Sequence, residues 1–166
     1  MVLPESRRSV LTARIEEVSE PSHTALRNLS NYWLSKKGAA IAPPRSAIKP
    51  EEIRTALPNI ALIDVVGDQP RFRVRLFGTG LVEAYGEDIT GRFLEDLDLD
   101  GIAKEIDAQV KKIVRERRVQ VVRVRFTKQN GKRHLEYERI GFPLSADGTT
   151  VNMLLFGFFV EAAFVM

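Results

Sequence analysis

Residues 85–91 read Tyr85-Gly86-Glu87-Asp88-Ile89-Thr90-Gly91, YGEDITG. Two glycines bracket two carboxylates and a threonine, between the run PRFRVRLFG (70–78) and the leucine-acidic run RFLEDLDLDG (92–101). Read as chemistry, Glu87 and Asp88 are an acid–base pair or the glycines cradle a phosphate; read as structure, the stretch is a turn. Acid–base work needs a carboxylate of tuned pKa facing a reacting group, whereas adjacent acids in a glycine-flanked turn face water, with Asp88 able to cap the next turn. A dinucleotide fingerprint needs a strand, G-x-G-x-x-G and a long helix. Here Gly78 and Gly80 are followed by Glu83 at the third glycine position, and no P-loop lysine follows. The turn reading prevails, with glycine supplying positive φ.

Outward from this turn, the alternation of RFRVRLF puts Phe72, Val74 and Leu76 on one face and Arg71, Arg73 and Arg75 on the other. A strand with a charged face suits a sheet edge. Before it, NIALIDVV is apolar and β-branched, a strand covered on both faces. After it, a helix is predicted from the stripe Ile102, Ile106, Val110, Ile113, Val114. Three strands follow. In VQVVRVRFT the apolar phase slips at Val121-Val122, which predicts a bulge or a twist; Asn130-Gly131 is a strong hairpin signal; and HLEYERIGFPL changes phase near Arg139. Beyond the turn at Ala146-Asp147-Gly148, TVNMLLFGFFV is almost continuously apolar, as befits a strand in the middle of a sheet.

Upstream, residues 1–22 read as a flexible tail, 23–58 as a helical lead-in and 59–166 as the core. Leu26, Leu29 and Trp33 form a helical stripe, with Ser22 as candidate cap and Gly38 as stop. A short helix is predicted for PEEIRTAL, ended by Pro58. The Leu26/Leu29/Trp33 stripe serves either a dimer or partner interface or the packing of the helix on its own sheet.

Composition narrows the function classes. The chain has 166 residues, 44% of them hydrophobic, enough for a core without staples. It contains no cysteine, which excludes disulfides, thiolate metal sites and a cysteinyl–flavin adduct. The two histidines, His23 and His134, lie far apart without ligand spacing, so no metal site is expected. There is no G-x-S-x-G, and no catalytic residue is assigned. The longest strongly apolar run, Met153 to Val160, is far short of the about 20 residues a membrane helix needs, so a cytoplasmic location without membrane contact is expected. A net charge of +3 with mixed signs argues against nucleic acid as partner. Tyr85, Arg123, Tyr137 and Asn152 are the candidate polar groups of an internal ligand pocket.

The order of two strands, short helices, a long helix and three strands resembles a PAS domain, as does FGTGLVEAYGEDITGRFLEDL (77–97). Trp33 together with PPRSAIKPEEIRTALPNIALIDV (43–65) looks like the lead-in of a short stand-alone alphaproteobacterial PAS subfamily, formerly a domain of unknown function. The resemblance implies an α+β fold with a five-stranded antiparallel sheet of order 2-1-5-4-3, helices on one face and an N-terminal flanking helix. It implies a sensory or regulatory domain that acts by protein–protein interaction, as a homodimer, switched by an unidentified small molecule. The haem-binding members use a histidine on the long helix; residues 102–117 contain none, so haem is not expected. The alternative is a small cone-shaped α+β enzyme of cyclase or isomerase type, which requires two titratable groups converging in one pocket.

Overall fold

A computed structural model describes residues 12–128 and 132–166. The Asn130-Gly131 hairpin signal and residues 1–11 of the tail lie outside the described residues. The elements are strand β1 (Arg14–Val18), helix α1 (Thr24–Lys37), strands β2 (Ile60–Val66) and β3 (Arg71–Phe77), helices α2 (Thr79–Tyr85) and α3 (Ala103–Glu116), and strands β4 (Gln120–Lys128), β5 (Arg133–Leu144) and β6 (Met153–Val165).

The sheet is antiparallel, with six strands in the order β1-β4-β5-β6-β2-β3. This corrects the expected five-stranded 2-1-5-4-3 sheet. The added strand is RIEEV, from the stretch read as tail, in register with β4 from Arg14↔Arg125 to Val18↔Val121. Its polar, acidic composition carries no strand periodicity of its own; what holds it is the free edge of β4. β6 runs between β5 and β2, and the arginine-bearing β3 is an edge strand.

Helices cover both faces rather than one, which is a second correction. On one face α1 packs Leu26, Leu29 and Trp33 against Leu62, Ile140, Phe142 and Leu155. On the other, α2, the segment 89–99 and α3 pack over Ala61, Ile63, Val122, Val124, Leu154 and Phe156. Burial of Ile106, Val110 and Ile113 anchors α3, each side chain contributing about 1.5–3 kcal/mol. Because both faces are covered at this point, Val121 and Val122 are both buried, one in each core. The apolar doublet therefore marks two covered faces and not a bulge: β4 keeps unbroken register with β5 from Gln120↔Gly141 to Lys128↔Arg133. The register shifts fall elsewhere, at Leu62/Ile63 and at Glu136/Tyr137.

Two glycines seat the helices. A Cβ on Gly141 would lie 2.6 Å from Phe156 Cε1 and 2.7 Å from Ile113 Cδ1 of α3; one on Gly157 would lie 2.5 Å from Leu29 Cδ2 of α1. The predicted helix at 50–57 is instead a pair of 3₁₀ turns, Pro50–Glu52 and Leu57–Asn59, with Pro58 inside the second. Helix α1 ends at Gly38 as expected, but its cap is His23 rather than Ser22, and no side chain of the helix itself caps it. Glu138 of β5, fully buried, takes the N–H groups of Ser22 (2.7 Å) and His23 (3.3 Å) instead.

Candidate functional site

The opening turn is scaffolding. Gly86 (φ +92°) ends α2 by donating its N–H to Val82 O, a conformation glycine adopts without steric cost. Asp88 Oδ1 accepts from the Thr90 N–H (3.0 Å) and hydroxyl (2.6 Å), and these bonds hold its carboxyl below the usual range. Glu87 pairs with Lys128 Nζ at 2.7 Å and Arg92 at 3.3 Å; the Lys128 hydrogen bond, foremost, holds its carboxyl down as well. Neither acid faces a cavity wall. After the turn, the chain lies along the edge of β3: Gly91 N–H donates to Val74 O (2.7 Å) and Val74 N–H to Arg92 O (2.9 Å).

Beneath this turn lies a cavity of about 80 Å³ between the sheet and the α2–α3 layer. Its walls are almost wholly apolar, with Leu81, Ile89 and Ile106 from the helical side and Ile63, Phe126 and Phe156 from the sheet. Among the described residues three polar side chains reach it: Tyr85, Tyr137 and Arg139. The buried Tyr85 hydroxyl has no hydrogen-bond partner; burial, then the charge of Glu87, pushes it up to about 12. Burial pushes the Tyr137 hydroxyl up to about 12 too. Arg139 is 2% exposed. It donates to Gln120 Oε1 at 3.1 Å, its guanidinium carbon lies 4.6 Å from the Phe156 ring centre, and its Nε is unpartnered. Burial pulls its pKa below the usual guanidinium value.

Of the four predicted pocket residues, Tyr85 and Tyr137 line the cavity. Arg123 and Asn152 do not. Arg123 is on the opposite face, bonded to Glu138 (3.3 Å) and to the Ser22 hydroxyl, a clasp on the start of α1. Asn152 holds a turn, its Oδ1 accepting from Ala146 N–H at 2.9 Å. Arg139 was missed. Its signal was a lone cation in an otherwise apolar run, RIGFPL, read only as a phase change. Leu26, Leu29 and Trp33 face the chain's own sheet, with Trp33 Nε1 donating to Pro143 O at 3.0 Å. The arginines of β3 are partnered: Arg73 and Arg75 hold Asp64, and Arg71 holds Glu95 and Asp96. Among the described residues no group of three or more His, Asp or Glu could hold a metal ion, and no helix is long and apolar enough to cross a membrane.

The sequence model of the PAS domain family matches residues 21–159, and the chain belongs to that family. No curated protein matches it. Among solved structures it is similar to the Rhodobacter sphaeroides LOV protein (TM-score 0.52, 16% identity, covering 68% of this chain and 66% of that one). It is also similar to a light-oxygen-voltage domain studied with a flavin analogue (TM-score 0.53, 14% identity, 68% and 83% covered). A third is an RNA-binding light-oxygen-voltage receptor (TM-score 0.55, 12% identity), of which the chain spans 39% while 90% of this chain is covered. At such identities the likeness is one of fold. The chain has no cysteine with which to form a flavin–thiol bond.

Proposed function

We propose that the chain is a PAS-type sensory or regulatory domain that acts through protein–protein contact and is switched by a small molecule in the cavity between the sheet and the α2–α3 layer. The observation that carries the reading is the pairing of an apolar cavity with two buried, unsatisfied polar atoms, Tyr85 Oη and Arg139 Nε. Buried polar groups in native proteins are almost always hydrogen-bonded, so two unpartnered ones on residues lining one cavity support the reading that a small molecule completes them. A ligand preferring one arrangement of the α2–α3 layer would shift the population of surfaces offered to a protein partner.

Membership of the PAS family supports the sensory role. The wall chemistry weighs against the cone-fold enzyme. Among the described residues, the titratable groups that line the cavity are two tyrosines at about 12 and a guanidinium, and none of them exchanges a proton readily near neutral pH. At about 80 Å³ the cavity is well below the roughly 300 Å³ where drug-sized ligand sites begin, so the occupant is a small one. Native mass spectrometry of the protein purified from its own host tests the reading. A stoichiometric non-covalent adduct is expected, absent from an Ala61→Leu variant that fills the cavity. A cavity holding only water in the host-purified protein sinks it.

A further inference from the structure

Arg139 sits where an ion is least welcome. It follows Leu135 and Tyr137 along the cavity face of β5, in register with Val122 of β4 and Phe158 of β6, both apolar. Among the described residues no carboxylate comes within 4 Å of its guanidinium. It donates to one amide oxygen, lies over one aromatic face and is close enough to the Tyr137 hydroxyl to feel it, while among the described residues its Nε has no hydrogen-bond partner. A guanidinium offers five donors in a planar fork that matches a carboxylate. Burying such an ion unpaired is costly, and the cost is recovered when a counter-ion joins it. The second orphan, the Tyr85 hydroxyl, adds one more donor on the same cavity.

We infer that the cavity takes a short-chain monocarboxylate, its carboxylate on Arg139 with Tyr85 as a further donor and its hydrocarbon tail among the leucine and phenylalanine walls. The inference rests on the sensory reading above and names what that cavity recognises. Each element of the ligand follows from the walls. Among the described residues one cation and no other charge line the space, which calls for one negative charge and not two. The walls between are apolar, which calls for a hydrocarbon tail. At about 80 Å³ the cavity is far smaller than a drug-sized site, which limits the tail to a few carbons. Butyrate has such a tail, and butyramide is its uncharged isostere.

Isothermal titration of the full chain with butyrate, butyramide and butylammonium tests the inference. Butyrate binds, and butyramide binds about tenfold or more weakly, since a site with unpaired polar donors discriminates strongly against a poorer acceptor. Arg139→Met abolishes butyrate binding, and Tyr85→Phe weakens it about fivefold. A thermal melt without ligand adds a readout independent of binding. Arg139→Met raises Tm, because it replaces an unpaired buried ion with an apolar chain of similar length. A guanidinium kept for packing would instead lower Tm when removed. Failure of butyrate to bind, equal affinity for butyramide, or an affinity unchanged in both variants overturns the inference. A neutral or cationic adduct in the native mass spectrum overturns it too, while leaving the sensory reading in place.

Discussion

At the scale of single residues, Asp147 and Glu138, like Asp88, hold backbone in place by accepting N–H groups. Asp147 caps the turn before β6, accepting from Thr149 N–H (2.8 Å), Thr150 N–H (2.7 Å) and the Ser145 hydroxyl (3.0 Å). The Thr150 and Thr149 bonds, in that order, hold its carboxyl down to about 2 from 3.8. A folded-state pKa below the unfolded one gives stability that is present above the unfolded value and lost as pH falls through the folded one. The stability difference between wild type and Asp147→Asn is therefore expected to be full at pH 6 and to vanish between about pH 4 and pH 2, as followed by urea melts. Glu138 works the same way under different constraints. Burial pushes its carboxyl up, but the Ser22 N–H and hydroxyl and the His23 N–H outweigh that and hold it down. Glu138→Ala removes the acceptor of the Ser22 and His23 N–H groups at the entry to α1 and is expected to cost about 2 kcal/mol in urea unfolding, while Arg123 swings out to water.

Elements show what a lone strand can and cannot announce. Helix α3 was legible because Ile106, Val110 and Ile113 repeat with the helical period. The edge position of β3 was legible because arginine alternates with Phe72 and Val74. Strand β1 was not, since RIEEV has one exposed edge, one partner and little apolar content to set a period. Its pairing with β4 is a tertiary fact. The same holds for the site: aromatic hydroxyls in strands and short helices flagged Tyr85 and Tyr137, but whether Arg123 or Arg139 faces the cavity depends on strand phase. Where both faces are covered that phase is hidden, so the sequence points to Arg123 and not to Arg139. The cover that β1 gives β4 has a consequence. Removing residues 1–19 is expected to strip hydrogen-exchange protection from the β4 amides that face β1, between Val121 and Arg125, and to promote association through the bared edge. Unchanged protection there would show that β1 does not hold the edge in solution.

For the molecule as a whole, the sheet divides two cores of different character. One holds α1 and the single tryptophan, Trp33, stacked on Phe142 at 5.7 Å between ring centres. The other holds the cavity. Adjacent residues of β5 serve opposite faces, Arg139 the cavity and Ile140 the α1 side. A ligand on Arg139, as proposed, would act on the same stretch of backbone that supports α1. Trp33 emission is expected to shift when the cavity fills, although the indole touches no part of it; emission that stays constant through a saturating titration would confine the response to the α2–α3 side.

Gly141 and Gly157 sit diagonally across β5 and β6, each paired with the other's neighbour: Gly141 faces Phe156 and Ile140 faces Gly157. There the sheet thins to bare backbone, with Ile113 pressing from one side and Leu29 from the other. In a scan of all substitutions these two positions should be the least forgiving in either strand. Neighbouring leucines can exchange for other apolar residues of like volume at small cost, but here even one methyl group must wedge a helix away from the sheet. Mutational intolerance would then mark a pair of residues that have no side chains to lose.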